Sequence, residues 1–121
     1  MLDRHENAVR GLADACRLGD PAALRTALET DAVAVCDGGG SVPGPPGSIH
    51  GAADVADLVA DLLCGRPGTE LTIEAVNGRA GLALRRGGQA LAVIAVKSAG
   101  ARVAALWIVL NPAKLTGWHR R

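Results

Sequence analysis

The chain predicts an α+β fold, with helices packed on one face of a single, mainly antiparallel sheet. Two observations carry this. Up to about residue 64 apolar side chains recur at three- and four-residue intervals, and from Glu70 onward they recur at every second position. Helices therefore come first and a run of strands last, which is the order of an α+β layer architecture. A third observation concerns filling. Of the 121 residues 49% are hydrophobic, yet Phe and Tyr are absent and Trp occurs twice. Ala, Val, Leu and Ile must build the core, so helices and sheet have to approach closely to leave no voids.

The elements follow in order. Val9, Leu12, Ala13 and Cys16 form one stripe of a helix over about 6–18, stopped at Gly19. Asp20-Pro21 starts a second helix over 21–29, since Asp caps and Pro suits a first turn that needs no donor. Leu24, Ala27 and Leu28 give it an apolar face. Residues 31–37 read as a strand. Residues 38–50, GGGSVPGPPGSIH, read as a loop, with a short strand near Ser48 to His50. A third helix over 52–64 turns Val55, Leu58, Val59 and Leu62 inward and Asp54, Asp57 and Asp61 outward, and Gly65 and Pro67 close it. Strands over 70–77, 80–86, 89–98 and 101–111 complete the chain, with Asn77-Gly78 as a two-residue hairpin turn. One domain spans 1–121, with no internal repeat.

Composition narrows the function classes. Thirteen basic against twelve acidic residues leave a formal charge of +1. Neutralising phosphates is what drives nucleic-acid binding, and no basic excess is present for it, so direct nucleic-acid binding is not expected. Arg85-Arg86 reads as a solvated hairpin and Arg120-Arg121 as a solvated tail. Cys16, Cys36 and Cys64 are an odd, widely spaced set without C-x-x-C. They read as three free, buried, mutually distant thiols in a reducing cytoplasm rather than a disulfide framework or a zinc site. No apolar run follows Met1, and the longest apolar stretch, Val103 to Leu110, is too short to span a bilayer. A soluble, cytoplasmic domain without membrane contact is the expectation.

Three ordered motifs carry a resemblance over nearly the whole chain. VCDGGGSVP (35–43), AVNGRA (75–80) and IVLNPAKL (108–115) resemble the DGGG loop, VNG hairpin and closing NPDKL of one protein family. That family is the C-terminal SnoaL-like accessory domain found on a group of bacterial extracytoplasmic-function sigma factors. It lies within the nuclear-transport-factor-2-like (cystatin-like) superfamily. The resemblance implies a cone, a curved, mainly antiparallel sheet wrapped on about three helices around an internal pocket. Ala113 stands where the family has Asp, which puts that carboxylate's contact in doubt. The sigma domains that bind polymerase and promoter have no counterpart, so the chain reads as a freestanding relative or an excised piece.

Enzymes on such a cone use an Asp, or a His–Asp pair, whose pKa burial tunes. Asp31, Asp37 and His50 are the candidates by rough position. Each also has a plainer reading: Asp31 at an element boundary, Asp37 bonded to loop backbone, His50 as a cap or surface residue. Trp107 shares a strand face with Val103, Ala105 and Val109, as core or as pocket wall. With Asn77 these make the expected pocket of Trp107, Val103, Val109 and Asn77, suited to a small apolar ligand. Trp118 and His119 read as a frayed tail. The glycine run at 38–40 lacks the Lys-Ser/Thr of a phosphate loop. His5, His50 and His119 show no metal spacing, and no cofactor is expected.

The leading expectation is therefore a non-catalytic accessory domain that binds a small apolar ligand or a protein partner. By the resemblance that partner is a set of sigma-factor domains or the RNA polymerase machinery. Asp37, Gly38, Gly39, Gly40, Asn111, Pro112, Lys114 and Leu115 would form the interaction surface. The alternative is a small isomerase, cyclase or dehydratase acting on a hydrophobic substrate. A homodimer without ligand is the third reading.

Overall fold

A computed structural model describes residues 3–38 and 47–120. The first helix, α1, runs Arg4–Leu18; the Asp3 carboxylate accepts from the Glu6 amide and Gly19 ends the helix in the left-handed region. The second, α2, is Pro21–Thr26, with Asp20 accepting from the amides of Ala22 and Ala23. This is shorter than the expected 21–29. Leu28 already belongs to strand β1, Leu28–Asp37, where it pairs with Val103, and the Val103 amide donates to the Ala27 carbonyl. A six-residue helix has little stability of its own, so pairing with the sheet takes its last turn. Strand β2 is Ser48–His50, and α3 is Ala52–Leu63. On α3, Val55 and Val59 are fully buried while Asp54, Asp57 and Asp61 are exposed.

Strands β3 (Thr69–Val76), β4 (Arg79–Arg86), β5 (Gln89–Ala99) and β6 (Arg102–Val109) form a meander. Asn77 and Gly78 both have positive φ, as the tight β3–β4 turn requires. Two short 3₁₀ turns, Pro112–Lys114 and Thr116–Trp118, follow. The six strands lie in the order β2-β1-β6-β5-β4-β3. The β1–β6 pair is parallel and every other pair antiparallel, giving a curved mixed sheet that wraps three helices.

The two sheet faces differ. The helix face carries Ala32, Ala34, Leu82, Leu84, Ala92, Ile94, Leu106 and Ile108, which pack against Val9, Leu12, Val55 and Val59 as one small-side-chain core. The outer face has its own apolar cluster of Val76, Ala90, Val93 and Leu115, joined by Ala95, Val109 and Trp118. Gly81 makes this second cluster possible. A Cβ there would sit 2.5 Å from the Ile94 carbonyl oxygen and 2.7 Å from a Val76 methyl.

Three expectations need correction here. Cys16 and Cys64 form a disulfide with Cα atoms 5.1 Å apart, and only Cys36 is a free thiol. Spacing along the chain hid this, because α1 and α3 bring residues 48 positions apart side by side. Val103 does not share a face with Trp107. Between β5 and β6 the register slips, Lys97 facing Ala105 but Ser98 facing Val103. The extra residue in β6 reverses the alternation, so Val103 points into the core and Trp107 outward. Finally, Arg85 is buried rather than solvated, at 8% exposure. Among the described residues no helix is long and apolar enough to cross a membrane.

Candidate functional site

The outer face gains its shape where β1 and β6 end. These parallel neighbours set Val35 opposite Trp107 and Asp37 opposite Val109. As the chain leaves β6, the Leu110 amide donates to the Asp37 carbonyl at 2.7 Å. Asn111 Oδ1 then accepts from the Ala113 amide at 3.1 Å, and Pro112 starts the 3₁₀ turn. That turn buries Leu115 among the outer apolar cluster and sends Lys114 back toward β1. Lys114 Nζ donates to Asp37 Oδ2 at 2.5 Å. Two motifs 77 residues apart in sequence thus meet at one corner.

Beside this corner lies a groove of about 330 Å³. Val76, Val93, Ala95 and Val109 supply its apolar lining, Trp107 and Trp118 its aromatic surface, and Asp37, Lys114 and Asn77 its polar groups. Trp107 is not a core residue. It is 57% exposed, a large apolar side chain left open on a sheet face. An exposed apolar surface rimmed by polar groups is the usual mark of an interaction site.

The groove's other wall is pinned by a polar cluster. Glu74 accepts from Arg85 through both carboxylate oxygens, from Thr72, and from Arg120 at 2.6 Å. The Arg85 guanidinium beside it holds the Glu74 carboxyl at about 2, below its ordinary 4.5. Burial works against that shift, and the Thr72 and Arg120 hydrogen bonds add to it. Arg85 Nε also donates to the Trp118 carbonyl at 2.8 Å. The Ala90 amide donates to His119 Nδ1 at 2.9 Å, and the Arg120 amide to the Gly88 carbonyl at 2.6 Å. The segment expected to fray is therefore docked on the sheet, half-burying Trp118. Its anchors had one sequence signal, the polar Thr72 and Glu74 at alternate positions opposite Leu71 and Ile73.

Of the candidate catalytic residues, Asp37 stands apart from the other two. Asp31 is exposed on β1, six positions before Asp37, which at strand rise is about 20 Å. His50 lies on β2 opposite Val33 and shares a hydrogen bond with Ser48 Oγ at 2.7 Å. The histidine that is buried is His5 on α1. Its Nε2 donates to the Ala80 carbonyl at 2.8 Å, which leaves Nδ1 to accept from Ser98 Oγ at 2.9 Å. Both ring nitrogens are occupied in holding α1 to the sheet. Gly38 lies next to Asp37 within the described residues, while Gly39 and Gly40 lie outside them. Among the described residues no three His, Cys, Asp or Glu stand close enough to hold a metal ion.

No family model and no curated protein matches the sequence. Solved structures do match. One is the extracytoplasmic function sigma factor SigJ of Mycobacterium tuberculosis, with a TM-score of 0.69 and 25% identity. The match covers 94% of this chain and 44% of the sigma factor, so the chain spans less than half of that protein's length. An epoxide hydrolase of the LEH-like type, also from M. tuberculosis, matches at 16% identity and a TM-score of 0.55, covering 98% of this chain and 89% of that one. An NTF-2 like protein from Burkholderia xenovorans LB400 matches at 16% identity and a TM-score of 0.60, covering 98% and 94%. The chain has the fold of nuclear-transport-factor-2-like, SnoaL-like proteins. Its structural relatives include both the C-terminal domain of a sigma factor and enzymes, and the enzymes' low identity speaks for the fold alone.

Proposed function

We propose that this chain is a non-catalytic docking domain that regulates a sigma factor by binding its helical domains. The observation that carries this reading is the junction of Asp37 and Lys114 beside the exposed Trp107. The junction joins Asp37, the first residue of the DGGG motif, to Lys114 of the NPAKL segment. Resemblance to the sigma-factor accessory domain singled out both segments, and the match to SigJ supports the same class of partner. The chemistry of the surface fits a protein contact. Trp107 offers a wide apolar anchor, and an acid–base pair at its edge sets orientation. Turnover would need charge converging on a substrate, and Asp37 stands apart from Asp31 and His50, both of which are exposed.

The experiment is titration of the purified chain into the helical domains of a SigJ-class sigma factor whose own C-terminal domain has been removed. Saturable binding is expected. Trp107→Ala and Lys114→Glu should each weaken it at least tenfold, in line with loss of a central aromatic anchor or an orienting charge, while leaving the fold intact. No binding by the wild type, or equal binding by both variants, overturns the reading. Specific uptake of a hydrophobic small molecule, competed by no sigma domain, would favour the ligand-binding alternative instead.

A further inference from the structure

Cys16 lies in the last turn of α1 and Cys64 directly follows α3, and their disulfide ties together two helices that serve different parts of the sheet. Helix α1 packs over β3 to β6, whereas α3 packs over β1 and β2. A cleft of about 240 Å³ opens at the bridge, with Cys16 in its lining and Arg17 and Arg66 beside it. Arg17 donates to the Leu71 carbonyl and pairs with Asp14. Arg66 donates to the Leu62 carbonyl and has no carboxylate partner among the described residues. The entrance to the bridge thus carries two guanidinium groups against one carboxylate. Cys36 is a half-buried free thiol on the helix face whose pKa burial raises.

We propose that the Cys16–Cys64 bridge is a reversible thiol-exchange site, opened by an anionic low-molecular-weight thiol that Arg17 and Arg66 draw into the cleft. The thiolate of one such molecule attacks a bridge sulfur. The S–S bond breaks, and the other cysteine leaves as a thiolate that takes a proton from water. A second thiol attacks the mixed disulfide and releases the first cysteine. Two small thiols thereby supply two electrons and two protons, and leave as their own disulfide. The guanidinium groups raise the local concentration of the anionic attacker and stabilise the departing thiolate. Opening the bridge unties α1 from the end of α3 and frees the Gly65 to Gly68 turn that leads into β3. The element being switched is this helix–turn junction, and it is independent of the groove on the opposite sheet face.

The test follows bridge opening in the whole chain by alkylation and mass spectrometry, with glutathione as the anionic thiol and cysteamine as the cationic one. Rates are normalised to each reagent's thiolate fraction. Glutathione is expected to open the bridge roughly tenfold faster at low salt, and the advantage should shrink as salt rises. The Arg17→Gln/Arg66→Gln double variant should bring the two rates together while keeping wild-type circular dichroism. Equal rates in the wild type, or opening only at the independently measured rate of global unfolding, overturns the proposal. So does a chain that still carries three free thiols after equilibration with oxidised glutathione.

Discussion

Lys114 Nζ lies 2.5 Å from Asp37 Oδ2, and this contact joins the end of the first strand to the turn that follows the last one. The lysine is largely exposed and the aspartate partly so, which places the pair in the class of surface ion pairs that contribute about 0–1 kcal/mol. Its weight lies in geometry, since it holds the two segments in one surface. Lys114→Ala should therefore leave the melting temperature within a few degrees of wild type, at a cost below about 1 kcal/mol. Urea denaturation checks this. A loss of several kcal/mol would make the pair a structural keystone rather than an orienting contact.

Glu74 predicts how stability depends on acidity. Its folded pKa of about 2 lies below the ordinary value of 4.5, so the folded state holds fewer protons there than the unfolded chain. The stability it contributes is fully present above pH 4.5 and is lost as pH falls toward 2, by on the order of 2–3 kcal/mol. Glu74→Gln should be less stable at neutral pH and should flatten that part of the acid profile. Denaturant midpoints measured at intervals from pH 7 to pH 2 read both effects. An unchanged slope in the variant would show that other carboxylates drive the acid loss.

The disulfide between Cys16 and Cys64 closes a stretch of 48 residues. Restricting an unfolded chain over such a length contributes about 4 kcal/mol in the entropic account, and measured values are commonly 2–4. Cys64→Ser should lower the unfolding free energy by that amount, and wild-type protein held in excess reductant should match it. A variant as stable as the oxidised wild type would remove the bridge from the energetics of the fold.

Gly81→Ala is expected to destabilise by about 1–3 kcal/mol although it adds a single methyl group. The new Cβ would press on the Ile94 carbonyl, which is backbone and cannot rotate away, and on Val76 of the outer cluster. Gly81→Ala with Val76→Gly removes both Val76 contacts and leaves the Ile94 carbonyl in place, so it should recover only part of the loss. Full recovery would place the strain in Val76 and clear the Ile94 carbonyl.

How much of this was legible in the sequence depended on the range of the interaction concerned. α1, α3 and the β3–β4 hairpin were written in local chemistry. Val9, Leu12 and Cys16 recur at helical spacing, Asp20 precedes Pro21, and Asn77-Gly78 accepts the positive φ of a tight turn. Asn77 and Trp107 stood out by the same locality, whereas Asp37 and Lys114 stood out through the resemblance of the motifs that hold them. What locality could not supply was which segments become neighbours. The end of α2 depended on Leu28 pairing with Val103, and the facing of Val103 depended on one extra residue in β6. Cys16 met Cys64 because two helices lie side by side, and Arg85 was buried because the last residues fold back over it. In each case a long-range pairing outweighs a local preference worth only a few tenths to one kcal/mol per residue. The residues of the outer face were thus set by the sequence, and their meeting in one groove was decided by strand order, register and the docking of the C-terminal turn.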